Sequence, residues 1–166
     1  MFKTNLKKNI ISLGLILVIF SVDRISKIYI LKFAKLENAV DIYLTSYLNL
    51  NLVWNQGIAF GLFSMQKSYL YGLISFLIVL VILAVIVMLI KTDSFKKYLL
   101  AMIIGGALGN LFDRMYYSGV PDFIDFHINN FHWFIFNVAD IFISIGIFCL
   151  IITEIFDKKR TNDEKY

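Results

Sequence analysis

Four long apolar stretches dominate this chain and restrict the folds that it can adopt. They cover about residues 10–31, 69–90, 98–114 and 138–156, and the third becomes polar towards its end. In a helix, about 20 residues at a rise of about 1.5 Å each cross the hydrocarbon layer of a bilayer. Because 59% of the residues are hydrophobic and only 17% are charged, the composition is that of an integral membrane protein. We therefore predict an all-α membrane protein with four transmembrane helices, forming a single domain over residues 1–166.

Basic residues indicate how these helices are oriented. Cytoplasmic segments of membrane proteins are enriched in lysine and arginine, so both termini are predicted to be cytoplasmic and the loops of about 32–68 and 115–137 to lie outside. The first stretch has no small-residue cleavage site, and we expect a retained helix rather than a cleaved leader. The net charge of +4 then reflects topology, and no nucleic-acid partner is predicted. The basic residues are Lys3, Lys7 and Lys8, then Lys91, Lys96 and Lys97, and finally Lys158, Lys159 and Arg160.

Several polar residues within these stretches are predicted to share one depth. Asp23 lies roughly 20 Å along the first helix from its cytoplasmic end, and Asn110 and Arg114 lie about 18 and 24 Å along the third. Asp140 is near the start of the fourth helix, which runs in the opposite direction to the first. Polar groups are costly in a bilayer, so their convergence predicts a functional site in the outer third of the membrane.

The two outer loops carry signals of extended structure. Apolar and polar residues alternate from Tyr47 to Trp54, which predicts a strand lying on the membrane surface. Gly57 and Gly61 follow, and we expect them to give this loop the freedom of a lid. In the second loop Pro121 favours extended geometry, so Asp122 is expected on a stiff strand of a small β-rich cradle.

Small residues recur at every fourth position of the third helix. Ala101, Gly105 and Gly109 would therefore lie on one face and let a neighbouring helix approach closely.

Two histidines in the second outer loop raise the question of a metal site. His127 and His132, with Asp125, offer nitrogen and oxygen ligands, but their spacing fits no strong ligand motif. We therefore predict neither a metal nor a cofactor.

Five motifs, in order along nearly the whole chain, resemble those of the bacterial lipoprotein signal peptidases, or signal peptidase II. The resemblance implies an aspartyl endopeptidase of the bacterial inner membrane. Its substrate would be a prolipoprotein that already carries diacylglycerol on a cysteine, and cleavage would occur amino-terminal to that cysteine. Membrane lipids and this substrate are then the expected partners, and we expect a monomer. The motifs are Asp23-Arg24-Ile25-Ser26-Lys27, Asn55-Gln56-Gly57-Ile58-Ala59-Phe60, Gly106-Ala107-Leu108-Gly109-Asn110-Leu111-Phe112-Asp113-Arg114, Val120-Pro121-Asp122-Phe123-Ile124-Asp125 and Phe136-Asn137-Val138-Ala139-Asp140.

The same resemblance implies roles for individual residues. Asp122 and Asp140 match the catalytic dyad of the family. Two carboxylates held close together share a proton, so that one can activate water while the other polarises the scissile carbonyl. Residues expected to bind substrate or support the dyad are Asn55, Gly57, Asn110, Arg114 and Asn137, together with Asp23 and Lys27 of the first-helix motif.

The residues alone leave other roles open. Asp122 and Asp140 could each cap a helix or pair with Arg114, and each asparagine could serve only helix packing. Arg114 could neutralise Asp113 or contact a lipid phosphate, and Asp23 and Lys27 could neutralise each other at i, i+4. The alternative functions are a small membrane transporter and a lipid-binding assembly factor. A transporter would normally place its carboxylates near the midplane with access from both sides.

Overall fold

The computed structural model describes residues 2–37, 40–57, 68–129 and 131–163, in which the chain forms helices and one small sheet. The four apolar stretches are confirmed as helical, although α1 begins earlier and α4 ends later than predicted. The proposed lid residues 58–61 lie outside the described ranges. The elements are α1 (Phe2–Glu37), β1 (Asp41–Thr45), β2 (Leu48–Asn55), α2 (Ser68–Lys91), α3 (Lys96–Tyr117), β3 (Val120–Ile128), β4 (Phe131–Phe136) and α4 (Val138–Asp163).

Three of these helices are long and apolar enough to cross a membrane. The spans are Leu6–Glu37 in α1, Tyr71–Lys91 in α2 and Val138–Asp157 in α4. Helix α3 differs because it carries charged residues at both ends, and it packs against each of the other three helices. The polar residues of α3 are thereby enclosed by protein.

Gly105 allows α3 to approach α1 closely, as predicted from its spacing, and Gly106, which lies outside the predicted pattern, allows a close approach to α4. A Cβ atom at Gly105 would lie 3.0 Å from the carbonyl oxygen of Ile16 in α1. On the α4 side, a Cβ at Gly106 would lie 2.6 Å from the carbonyl oxygen of Ala139. Side chains at these positions would push the helices apart. The backbones that carry the polar residues are thus held close together.

A four-stranded antiparallel sheet, in the order β1-β2-β3-β4, lies against one end of α1. The predicted strand from Tyr47 to Trp54 is confirmed as β2, and the extended stretch after Pro121 is confirmed as β3. Ile30 of α1, Val40 and Phe123 of β3 form a buried cluster that joins sheet and helix. This packing fixes β3 beside the start of α4.

Polar contacts at the opposite end of the helices bring the basic segments together. The Lys8 ammonium donates to the backbone carbonyl of Asp93 in the α2–α3 turn. Lys96 of α3 pairs with Glu154 at 2.7 Å and with Asp157 of α4 at 2.8 Å. The basic segments therefore share one end of the bundle, and the sheet lies at the other.

Candidate active site

Asp122 and Asp140 line the same cavity, of about 200 Å³, between the sheet and the helices. Asp122 is the third residue of β3 and is buried, whereas Asp140 lies in the first turn of α4. The cavity gathers six of the polar residues selected from the sequence. They are Asn55, Asn110, Arg114, Asp122, Asn137 and Asp140.

Asn137 connects the two aspartates. Its side-chain amide donates to Oδ1 of Asp122 at 2.6 Å. Its backbone N–H donates to Oδ2 of Asp140 at 3.1 Å, and the Asp140 N–H donates back to Oδ1 of Asn137 at 3.2 Å. This reciprocal pair is a capping box, which satisfies backbone donors at the start of α4. The cap therefore also fixes the position of the Asp140 carboxylate relative to the Asp122 carboxylate.

A second amide holds Asp122 from the side of β2. Nδ2 of Asn55 donates to Oδ2 of Asp122 at 2.9 Å, so both oxygens of this carboxylate accept an amide N–H. The backbone N–H of Gly57 donates to Oδ1 of Asn55 at 2.9 Å. Gly57 thereby orients the Asn55 amide towards Asp122 rather than touching the carboxylate itself.

The surroundings of Asp122 favour its protonated form. Burial, followed by the negative charge of Asp140, raises the pKa of Asp122 from 3.8 to about 6. The amides of Asn55 and Asn137 act in the opposite direction because they stabilise the ionised carboxylate. A buried carboxyl with a raised pKa beside a second carboxylate is the arrangement in which a proton is shared.

Asp140 is tied to α1 through α3. Nδ2 of Asn110 donates to Oδ1 of Asp140 at 2.8 Å, and Oδ1 of Asn110 accepts from the Lys27 ammonium, also at 2.8 Å. Asp23 contributes separately, since its Oδ1 accepts the backbone N–H of Ala139 at 3.0 Å. Both contacts fix the first turn of α4 against α1.

The hydrogen bonds from Asp140 through Asn110 to Lys27 end at a buried cluster of four charged residues. Lys27 contacts Asp23 at 2.9 Å and Asp113 at 2.7 Å. Arg24 contacts Asp113 at 2.5 Å and Asp23 at 3.2 Å. Two positive and two negative groups balance, which buried charges require. Arg24 and Asp113 were not selected from the sequence as site residues. Asp113 lies three residues after Asn110, on the same face of α3, and that spacing is the signal that could have found it.

The contacts decide between several of the alternative roles that the sequence leaves open. Asp23 and Lys27 form an ion pair, and Asp140 takes part in a helix cap. All three residues also belong to the hydrogen-bond network around the cavity. Within the described residues, no ion pair joins Arg114 to Asp122 or Asp113. Nε and one terminal nitrogen of the buried Arg114 guanidinium have no hydrogen-bond partner in those ranges. Arg114 also lines the cavity, so these two buried and unpartnered nitrogens belong to a residue at its wall.

A second, more apolar groove adjoins the cavity. It measures about 240 Å³ and lies between β4 and α4. Asp140 and Ser144 line both spaces, and the rest of the groove is formed by Phe134, Phe136, Ile141 and Ile145. An apolar chain in this groove would therefore end beside the Asp140 carboxylate.

Known proteins of similar sequence identify the family of this chain. The family model described as signal peptidase (SPase) II matches residues 15–156. A lipoprotein signal peptidase of Pelagibacter ubique (strain HTCC1062) is 55% identical over 165 residues, covering 99% of each chain. A lipoprotein signal peptidase of Anaplasma phagocytophilum (strain HZ) is 37% identical over 160 residues, covering 95% of this chain and 99% of the relative.

A solved structure shares the fold. It is described as a bacterial membrane enzyme determined by the in meso method at 2.3 Å resolution. It superposes with a TM-score of 0.71 at 25% identity, covering 90% of each chain. The match over residues 15–156 and the 55% identical relative show that the chain belongs to the signal peptidase II family.

Proposed function

We propose that this protein is an aspartyl endopeptidase of the bacterial inner membrane that removes signal peptides from prolipoproteins. The cleaved bond lies amino-terminal to a cysteine that already carries a diacylglyceryl group. The observation that carries the aspartyl assignment is the junction at Asn137, which binds Asp122 and Asp140 at one cavity. Names of relatives support the substrate class, since two of them are lipoprotein signal peptidases.

The chemistry requires only the two carboxyl groups and one water molecule. The ionised carboxylate takes a proton from water as the water oxygen attacks the scissile carbonyl carbon, and the protonated carboxyl donates to the carbonyl oxygen. The tetrahedral intermediate then collapses and the C–N bond breaks as the departing amine takes the proton that the first carboxylate removed from water. The second carboxylate takes back a proton from a hydroxyl group of the intermediate, which becomes the new carboxyl product. Because the groups are coupled, the shared proton belongs to the pair of Asp122 and Asp140.

Substrate binding is assigned to Arg114 and to the apolar groove. Arg114 lines the cavity, and its guanidinium can bind carbonyl oxygens of the peptide or of the acyl esters. One acyl chain can lie between Phe134 and Ile141, entering sideways from the lipid. The lipid would then set the depth of the scissile bond relative to Asp140.

We further propose that α3 is a fourth transmembrane helix. Its 22 residues would extend about 33 Å, which is enough to cross the hydrocarbon layer. Its charges are tolerable there because the other three helices enclose it. The shared basic end of the bundle supports cytoplasmic termini and a dyad near the outer face. Labels at residues 50 and 128 should react from outside intact cells, whereas reaction at residue 94 would reverse this topology.

The direct test is cleavage of a synthetic precursor peptide by the purified protein in detergent. Two peptides of identical sequence, with and without the diacylglyceryl group, should be compared by mass spectrometry of the products. We expect cleavage before the modified cysteine without an energy source, and slow cleavage of the unmodified peptide. Equal rates for both would remove the lipid-entry assignment, and no cleavage of either would remove the peptidase assignment.

A further inference from the structure

Three side chains outside the cavity meet on one face of the β3–β4 hairpin. Asp125 and His127 are two residues apart on β3, so they project from the same face. His132 of β4 pairs opposite His127 because the register shifts between Phe126 and His127. The uninterrupted register would place Trp133 opposite His127. The bulge therefore brings His132 to the face that carries Asp125 and His127, and bulges are known to redirect side chains in this way.

The ligand atoms of these residues are close enough for one ion. One such atom from each of Asp125, His127 and His132 lies within 4.8 Å of the others. Nδ1 of His132 is 2.6 Å from Oδ2 of Asp125. With metal–ligand distances of about 2.0–2.2 Å, ligand atoms around a tetrahedral ion are roughly 3.3–3.6 Å apart. The His132 nitrogen is therefore too close to the Asp125 oxygen for both to bind one ion, and a small rotation of the half-exposed His132 ring would bring the two atoms to the required separation.

Unsatisfied buried atoms distinguish this cluster from a simple ion pair. Asp125 and His127 are only 1% and 7% exposed. Oδ1 of Asp125 and Nδ1 of His127 are buried and have no hydrogen-bond partner among the described residues. Buried polar atoms without a partner are costly and uncommon. An Asp125–His132 ion pair would leave both atoms unsatisfied, whereas a metal ion could accept both as ligands.

A further oxygen is available on the same face. Asn49 of β2 pairs directly opposite Asp125, and its Oδ1 is also buried without a partner in the described ranges. Residues paired across antiparallel strands project from the same face. Asn49 can therefore supply a fourth ligand or orient a water molecule that does so.

We propose that Asp125, His127 and His132 bind a divalent transition-metal ion of the zinc type. Two imidazole nitrogens and one carboxylate oxygen suit such an ion, whereas calcium and magnesium prefer oxygen ligands alone. None of these residues lines the cavity of Asp122 and Asp140, so the ion has no part in peptide hydrolysis. Its role is to join β3 and β4, the hairpin that carries Asp122 and leads into Asn137.

Metal binding can be measured on the full-length protein, freed of its purification tag and stripped with EDTA. Titration with ZnCl₂ should show one saturable site per chain by calorimetry. Co²⁺ should give the visible absorption bands of a four-coordinate complex with nitrogen and oxygen ligands. A hundredfold excess of Zn²⁺ over its Kd should raise the midpoint of thermal unfolding by about 5–10 °C.

Variants identify the ligands. His132→Ala changes a half-exposed side chain and should fold, and Asp125→Asn removes the bridging carboxylate. Even outer-shell partners alter metal affinity by about 10- to 100-fold, so loss of a ligand should weaken Zn²⁺ binding at least that much. Asp41→Asn, an exposed carboxylate on β1 of the same sheet, is the matched control and should bind normally. Absence of saturable Zn²⁺ binding at micromolar concentrations, or equal binding by wild type and both ligand variants, would overturn the site.

Discussion

The Lys27 ammonium donates to Oδ1 of Asn110 at 2.8 Å, and this bond fixes the direction of the Asn110 amide. With its oxygen turned towards α1, Asn110 must present Nδ2 to Asp140, and it does so at 2.8 Å. A donor at this position stabilises the ionised form of Asp140. The buried charges of α1 therefore act on the proposed dyad through one oriented amide.

Removal of the Lys27 charge should strongly destabilise the protein. Lys27→Met leaves Asp23 and Asp113 with only Arg24 to balance them, and breaking a buried ion pair costs about 3–5 kcal/mol. Thermal unfolding in detergent would measure the loss. Lys27→Met combined with Asp113→Asn should recover part of the stability, because it removes the unbalanced negative charge. Lys96→Met, at the end of the bundle opposite the sheet, should leave the midpoint nearly unchanged, and equal effects of Lys27→Met and Lys96→Met would contradict the importance of the cluster.

Gly109 should be intolerant of even a methyl group. A Cβ atom there would lie 2.5 Å from Oδ2 of Asp23, which is held by Lys27. We expect Gly109→Ala to destabilise the protein by about 1–3 kcal/mol and to lower turnover by displacing the start of α4. Gly14→Ala on α1 is the control, since a Cβ there meets nothing within 4 Å. A Gly109→Ala enzyme with wild-type stability and rate would show that α1 and α3 are not held at this distance.

The raised pKa of Asp122 predicts how stability depends on pH. The folded protein retains this proton up to a pKa of about 6, whereas the unfolded chain loses it near 3.8. The folded state therefore binds more protons between these values, and stability should fall as pH rises from about 4 to about 6. Protonation of Asp122 contributes at most about 3 kcal/mol to the free energy of unfolding, because its pKa differs by about two units between the folded and unfolded states. Unfolding midpoints should fall less steeply over this pH range in Asp122→Asn than in wild type, and an identical slope in both would place the titration elsewhere.

Local sequence patterns predicted the elements that depend on local geometry. Helix rise is constant, so counting along α1 and α3 was enough to bring Asp23 and Asn110 to the same level. The alternation from Tyr47 to Trp54 likewise reports a two-faced strand, β2. In both cases the physical cause lies within a few residues of the pattern.

Contacts that depend on pairing between distant elements were not predictable in this way. Arg24 meets Asp113 across 89 positions of sequence, and the contact depends on how α1 and α3 are rotated about their axes. His132 reaches Asp125 only because Trp133 is the extra residue of a bulge, which the spacing of the histidines does not reveal. The sequence therefore selected the polar residues that line the cavity, but it did not predict the contact between Arg24 and Asp113. It also argued against the metal site that we propose at Asp125, His127 and His132.

The dyad itself is tested by removing each carboxylate without changing its size. Asp122→Asn and Asp140→Asn keep the side-chain shape but cannot share a proton, and each alone should lower the rate on lipidated precursor by about a thousandfold or more. The double variant should be scarcely slower than either single variant, because residues that act as one unit are not additive. Asp41→Asn, on the exposed edge of the sheet, should retain the wild-type rate. Both variants should be checked for folding by their unfolding midpoints. Folded variants that still cleave near the wild-type rate would remove the aspartyl mechanism and leave Asp122 and Asp140 with the structural role of a lipid-binding assembly factor.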